Sequence, residues 1–322
     1  MNDMHILAAV DFDDDIEALA SAVAHWAKGG ASKITVVGIA PQLNLSIASN
    51  KNAARIRRAQ AALIDDLKQR LATLAAQLHI DAEIELLSGR VADQIIKAAV
   101  LHNVDLVVKA ADRRANEPSP LFGAVEKKLI RKCPVPVWIV RPETPAPPRS
   151  LVVAVDKPEV KGETDELAAS LLDNAVAFAL RFGVKKVKLL HICSVVGASF
   201  LSSPRSGWSP EEVEEYVEEW RWQAQDWFDQ FQAKAAQHYR QTGLEFSQRL
   251  IIGDARKELA PAAKDLDADI LFIGSANRSG VPGLLIGNTA ESVIDRVECS
   301  VYVVKPKGFI SIISPAVEGY GA

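Results

Sequence analysis

Leu7-Ala8-Ala9-Val10-Asp11 and Val152-Val153-Ala154-Val155-Asp156 are one phrase written twice, four apolar residues closed by an aspartate. Outward from that phrase the correspondence continues. Lys33-Ile34-Thr35-Val36-Val37-Gly38-Ile39 echoes Lys186-Val187-Lys188-Leu189-Leu190-His191-Ile192, and Leu86-Leu87-Ser88-Gly89-Arg90 aligns with Leu250-Ile251-Ile252-Gly253-Asp254. Asp105-Leu106-Val107-Val108 returns as Asp269-Ile270-Leu271-Phe272, and Val137–Pro142 returns as Val301–Pro306. The offset is 145 from Asp11 to Asp156 and 164 from Pro142 to Pro306, so the second copy holds 19 more residues. The growth falls after its second apolar run, near Ser194–Pro210. A repeat of this period means two copies of one domain. Between them Pro142-Glu143-Thr144-Pro145-Ala146-Pro147-Pro148 favours an extended, semi-rigid connection. The expected domains are therefore 1–142 and 150–307, with a Pro-rich linker at 143–149 and a tail at 308–322.

Within each copy, short β-branched runs alternate with longer stretches of helical period, the pattern of a parallel sheet with crossover helices. The runs are almost continuously apolar, as expected of strands covered by helices on both faces. Helices are predicted over 16–28 and 167–182, 53–77 and 211–242, 91–101 and 255–264, and 124–131 and 290–296. The fold class is α/β: two tandem Rossmann-like domains, each a five-stranded parallel sheet flanked by helices. Sheets of this kind bind ligands beyond the carboxyl ends of their strands, where the strand order reverses.

The chain has 37 Lys and Arg against 41 Asp and Glu, a formal charge of −4. That balance lacks the positive excess that phosphate-backbone binding needs, so nucleic acid is not expected as a partner. No apolar run approaches the length of a membrane span, and Asp11, Asp13, Asp14 and Asp15 interrupt the first apolar segment where a signal peptide would continue. A cytoplasmic protein without integral membrane association is the expectation. Three distant cysteines, Cys133, Cys193 and Cys299, form neither a disulfide framework nor a CxxC site, and six scattered histidines show no metal-ligand spacing.

Function is concentrated in the loop after the second copy's fourth strand, Ile273-Gly274-Ser275-Ala276-Asn277 through Gly287-Asn288-Thr289-Ala290-Glu291. A glycine just past a strand lets backbone approach a ligand closely. A helix opening at Gly287-Asn288-Thr289 would offer free N–H groups and a positive dipole end to an anion. The same residues also fit an ordinary turn in which Asn288 and Glu291 form a capping box. Spacing alone leaves both readings open, because neither a Walker A nor a GxGxxG fingerprint is present.

The strand-end aspartates, this glycine loop, and the terminal strands Cys133-Pro134-Val135-Pro136-Val137-Trp138-Ile139-Val140 and Cys299-Ser300-Val301-Tyr302-Val303-Val304 together resemble the universal stress protein family in its tandem form, over about residues 4–307. The resemblance implies a fold similar to the adenine-nucleotide α-hydrolase group and an ATP-type pocket in the second copy only. Ala154, Asp156 and Ile192 would line the base. Gly274 and Gly287 would lie beside ribose and phosphates, and Ile273, Asn277, Asn288 and Thr289 would complete the nucleotide-binding set, with Mg²⁺ accompanying the nucleotide. Family members of the nucleotide-binding kind carry G-x2-G-x9-G-(S/T); here Asn277 replaces the second glycine, and Asn288 precedes Thr289 where Ser or Thr is usual. In the first copy the equivalent positions are Ala110, Arg113 and Gly123, followed by Ala124, so no ordinary nucleotide site is expected there. Family members also dimerise through the fifth strand. This implies that Val135–Val140 and Val301–Val304 pair within one chain as a pseudo-dimer, and a further homodimer is left open.

Four of six tryptophans, Trp208, Trp220, Trp222 and Trp227, cluster in or near one predicted helix. Ser209-Pro210-Glu211-Glu212 is a strong helix start, with Val213, Val217, Trp220, Ala224, Trp227, Phe231 and Ala235 as its apolar stripe. Tyr216, Trp222 and Phe228 widen that stripe. The extra Val195–Trp208 segment, with Phe200 and Leu201, could cover an apolar pocket. Catalysis has little support: His191 has no Ser or Cys in a nucleophile motif, and no GxSxG occurs. Neither catalytic residues nor metal ligands are assigned. Asp15 reads as the charge at a helix start. The leading expectation is a stress-response protein binding a small ligand, an adenine nucleotide in the second copy. The alternatives are an apolar or lipid-like ligand beneath the aromatic helix, and a slow ATP hydrolase or self-phosphorylating protein.

Overall fold

The computed structural model describes residues 4–11, 15–27, 32–40, 50–78, 82–111, 122–158, 166–275 and 294–313. By contacts the chain divides into two compact units: 1–147 with 275–287 and 300–322, and 148–274 with 288–299.

The first unit runs β1 (Met4–Val10), α1 (Ile16–Ala27), β2 (Ser32–Ala40), α2 (Asn50–Leu78), β3 (Glu83–Ser88), α3 (Val91–Leu101), β4 (Leu106–Ala110), α4 (Ala124–Lys132) and β5 (Val137–Val140). The order of these strands is β3-β2-β1-β4-β5, all parallel. The second unit runs β6 (Leu151–Val155), α5 (Glu166–Phe182), β7 (Lys186–Cys193), α6 (Ala198–Leu201), α7 (Pro210–His238), a 3₁₀ turn (Arg240–Thr242), β8 (Glu245–Ile252), α8 (Ala255–Asp265) and β9 (Ile270–Gly274). Its order is β9-β6-β7-β8, again parallel. β10 (Ser300–Val304) lies against β5 in the first unit, antiparallel, with Val301 opposite Ile139, Tyr302 opposite Trp138 and Val303 opposite Val137. The fold is thus a tandem Rossmann-like α/β arrangement, mostly parallel.

Burial follows the sequence pattern. β1, β4, β5 and β6 are almost wholly buried, whereas β3 and β8, which end their strand orders, are half-exposed and carry Glu83, Glu85, Gln248 and Arg249. Charge on an edge strand discourages pairing with other chains. α1 buries Leu19, Val23 and Trp26, and α5 buries Leu171, Ala175, Phe178 and Phe182 at three- and four-residue spacing.

The two copies repeat structural devices as well as strands. Asp105 accepts the His5 N–H at 2.8 Å, and Asp269 accepts the Arg149 and Ser150 N–H groups at 2.6 and 3.0 Å. In both cases a carboxylate at the foot of the fourth strand ties down the start of the first. Asn103 and Asp267, 164 residues apart, end α3 and α8 with φ of 49° and 47°. Left-handed backbone without glycine is tolerated best by these two residue types. At the end of α4, the buried Lys305 amine donates to the Ile130 and Arg131 carbonyls and to Ser275 Oγ. Burial pulls its pKa down to about 8. A cation at a helix C-terminus satisfies carbonyls that the helix itself cannot.

Among the described residues, no helix is long and apolar enough to cross a membrane.

Candidate functional site

In the second unit the strand order reverses at β6, whose neighbours are β7 and β9. Parallel strands end at one edge, and the register sets which residues meet there. Ala154 is opposite Leu190 on β7 and opposite Ile273 on β9, and Val155 is opposite His191. Asp156 therefore leaves β6 beside the ends of β7 and β9, at the crevice where such sheets take ligands. Of the nine residues expected at the site, Ile192 and Ile273 are buried, Ala154 and Gly274 are half-buried, and Asp156 has a carboxylate 59% exposed. Asn277, Gly287, Asn288 and Thr289 lie outside the described residues, as do Asp13, Asp14, Arg113 and Arg114.

His191 organises this edge. It is 2% exposed, and its Nδ1 lies 3.0 Å from the Val155 carbonyl oxygen and 3.9 Å from Asp156 Oδ1. Its ring meets Trp227 edge-on at 4.9 Å and Phe228 at 5.7 Å, both from α7. A carbonyl can only accept, so Nδ1 carries the proton and Nε2 presents a bare lone pair. Nε2 has no hydrogen-bond partner among the described residues. Burial lowers the ring's pKa, and the Asp156 carboxylate opposes that shift only in part, which keeps the imidazole neutral near pH 7. Alongside, Cys193 O accepts the Gly253 N–H and Ser194 Oγ donates to Gly253 O at 2.9 Å, fixing the ends of β7 and β8 together.

Gly274 has a packing reason of its own. A Cβ there would stand 2.8 Å from Leu167 Cδ2 and 3.1 Å from its Cγ, so any larger residue needs the Leu167 side chain of α5 to shift, a packing reason for glycine apart from any ligand. At Ser209 the capping box forms as expected: Ser209 Oγ accepts from Glu212 N–H at 3.2 Å, and Glu212 Oε2 accepts from Ser209 N–H at 2.7 Å. α7 buries Ala224, Phe228, Phe231 and Ala235, so Phe228 takes a core place while Trp222 stands 70% exposed. The extra segment folds into α6, with Phe200 60% exposed. Tyr216 holds that segment to α7 by donating to the Val196 carbonyl at 3.1 Å, and Trp208 packs edge-on to Tyr216. Asp15 accepts the Ala18 N–H at 3.0 Å, the helix-start role read from sequence.

The equivalent edge of the first unit is built differently. Lys109 and Glu126, both 0% exposed, form an ion pair of 2.7 Å, and the lysine also donates to Ala110 O at 3.0 Å. Lys109 stands where the second copy has Ile273, and Glu126 where it has Ala290. Glu126 lies in the first turn of α4, which starts at Gly123 without a side-chain cap. The helix start that would receive a ligand's anion thus carries the protein's own carboxylate, neutralised by its own lysine. The motif search missed this pair. Its only sequence signal is a lysine inside the apolar run Leu106-Val107-Val108-Lys109-Ala110.

These features define a tandem pair of doubly wound α/β domains that differ, among the described residues, at equivalent strand ends: a buried ion pair in the first and a buried acceptor without a partner in the second. The chain belongs to the universal stress protein family: the family's sequence description matches residues 4–141 and again 148–305. It is 28% identical to Universal stress protein E of Photorhabdus laumondii subsp. laumondii over 261 residues, 78% of this chain and 79% of that protein. To the Universal stress protein E homolog of Haemophilus influenzae it is 27% identical over 242 residues, 72% and 75% of the two chains. Among solved structures, a Pseudomonas aeruginosa UCBPP-PA14 protein of the same family name superposes with a TM-score of 0.62 at 22% identity, covering 94% of this chain and 93% of its own. An Archaeoglobus fulgidus universal stress protein gives 0.59 at 17% identity, covering 95% and 97%. At such identities the structural likeness carries the fold.

Proposed function

We propose that this chain is a cytoplasmic, ligand-binding stress-response protein whose second copy, residues 150–307, takes an adenine nucleotide at the carboxyl edge of its sheet. The observation that carries the reading is His191 Nε2, a buried acceptor with no partner among the described residues. Leaving such an atom unsatisfied costs about 1–3 kcal/mol. A ligand N–H such as adenine's exocyclic amine removes that cost. The Asp156 carboxylate is a second acceptor at the same ring, so the pair suits a ligand rich in donors. Ala154, Asp156, Ile192 and Ile273 form the base side of the proposed site. Gly274, Asn277, Gly287, Asn288 and Thr289 form its ribose and phosphate side on the family pattern, and Mg²⁺ would arrive with the phosphates. The proposal assigns no catalytic residue and no nucleic-acid partner. It reads the antiparallel β5–β10 pair as an internal form of the family's dimer contact.

Thermal unfolding with and without ATP–Mg²⁺ tests it. At one hundred times its dissociation constant a ligand adds about 2.7 kcal/mol, which moves the midpoint by several degrees. Gly287→Val should abolish the shift, whereas Gly123→Val should leave it intact. No shift at millimolar ATP ends the nucleotide reading. Phosphate release above the Gly287→Val background would make the protein a slow hydrolase instead. The exposed rings of Phe200 on α6 and Trp222 on α7 favour one second reading, an apolar or acyl ligand at α7. It predicts stabilisation by acyl compounds with no response to ATP.

A further inference from the structure

α2 and α7 follow the second strand of their respective copies, and each is 29 residues long. Their first ten residues carry opposite charge. Lys51, Arg55, Arg57 and Arg58 open α2 with no acidic residue among them, and Glu211, Glu212, Glu214, Glu215, Glu218 and Glu219 open α7 with no basic one. Both clusters face water: Arg55, Arg57 and Arg58, and Glu214, Glu215, Glu218 and Glu219, are all exposed. Among the described residues, Arg55, Arg57, Arg58, Glu214, Glu215 and Glu219 make no ion pair, and Glu218 has only its neighbour Arg221, at 2.9 Å.

Little of this charge serves the helix that bears it. In α7 Glu211 and Glu212 suit the first turn and Glu212 closes the capping box, but the remaining glutamates have no such task. Cations at a helix N-terminus oppose the dipole, so the α2 cluster weakens its own first turns. In α7, Glu211 with Glu215, Glu214 with Glu218, and Glu215 with Glu219 stand four apart, where like charges repel. Local choices that work against their own element mark places where something else supplies the compensation.

We propose that the basic half of α2 docks on the acidic half of α7 of a second copy of this chain. In a two-fold dimer the contact occurs twice, α2 on the partner's α7 and α7 on the partner's α2, so the interface closes on itself. Trp222, 70% exposed just beyond the glutamates, adds an aromatic face for a guanidinium. The inference is independent of which ligand the second copy binds.

The test is sedimentation velocity on the full chain. Self-association is expected at about 20 mM salt and at least tenfold weaker at about 500 mM, where screening is short-ranged. The triple variant Arg55→Glu/Arg57→Glu/Arg58→Glu should be monomeric at both, as should Glu214→Lys/Glu215→Lys/Glu218→Lys. Mixing the two variants in equal amounts should restore the dimer, because each reversed helix then meets its reversed counterpart. This rescue also shows that both variants are folded. A wild-type chain that stays monomeric at low salt overturns the proposal, as does a mixture that fails to associate. It is also overturned if heparin, bound through the α2 cluster as shown by loss of its binding in the α2 variant, leaves wild-type self-association unchanged.

Discussion

Replacing Glu126 by alanine, the residue the second copy carries at the equivalent position 290, removes the carboxylate 2.7 Å from the buried Lys109 ammonium of the first unit. At the observed 2.7 Å the pair attracts by about 6 kcal/mol in an effective dielectric near 20. Most of that is offset by the several kcal/mol that each ion loses in leaving water, so the intact pair is nearly neutral against apolar residues of similar size. Removing one partner keeps a desolvation cost and discards the attraction, a loss of about 3–5 kcal/mol. Deprotonating an ordinary lysine at pH 7 costs about 4.6 kcal/mol, which sets the ceiling. Against a typical stability of about 5–15 kcal/mol this is a large fraction. Lys109→Ile with Glu126→Ala, the second copy's own combination, should recover most of the loss and show a coupling of at least about 2 kcal/mol in a double-mutant cycle. Hydrogen exchange of β1 and β4 amides reads this unit's opening separately from the rest of the chain. The single variant should exchange there about two to four orders of magnitude faster. Single losses below about 1 kcal/mol, or a double variant as unstable as the sum of its singles, would refute the reasoning.

Gly274→Ala should lower the stability of the second unit by about 1–3 kcal/mol, because its methyl meets Leu167 at 2.8 Å; an unchanged calorimetric midpoint would show that α5 can give way. Ser209→Ala removes the oxygen that accepts Glu212 N–H and should cost about 1 kcal/mol, visible as faster exchange in the first turn of α7. His191 sets a pH dependence of known sign. Its folded pKa lies below 6.5, so above pH 6.5 both states are neutral and the stability is complete; as the pH falls below that value the unfolded chain takes the proton first and stability is lost. The urea midpoint should therefore fall from pH 7 toward pH 5 in the wild type and less so in His191→Phe, and parallel curves would remove burial as the cause.

How much of this was legible beforehand depended on whether the signal was local. The repeat, the Pro-rich junction and helices such as 91–101 and 124–131 came from patterns within a short window, and α3 spans Val91–Leu101 as expected. The Ser209 cap needed only four residues to be recognised. Asp105 and Asp269 were noticed as repeated letters, but their shared task of holding the first strand's start depends on parallel strands ending together. Lys109 and Glu126 are 17 residues apart, on a strand and a helix, so only the packed unit shows them as a pair. On α7 the apolar stripe was readable, whereas the deeper burial of Phe228 than of its neighbour Trp227 was not. One residue of helical rotation, about 100°, decides which ring is fully inside.

The two crevices also suggest why a tandem chain can keep one of them closed. A helix start that has lost its ligand loop still presents N–H groups and a positive dipole end to a buried space. In the first unit a carboxylate in the first turn meets that field, and a lysine on the neighbouring strand balances the carboxylate. Such a pair is weak as a source of stability, but a phosphate approaching that helix start would meet the Glu126 carboxylate as a like charge. The same logic can be transplanted. Ile273→Lys with Ala290→Glu would place the first copy's pair in the second, and should erase the ATP-dependent rise in melting temperature while the fold is kept. Ile273→Lys alone should instead destabilise the second unit, because its ammonium would lack the carboxylate. Retention of the full ATP shift in the double variant would show that the first copy's pair is not what closes its crevice.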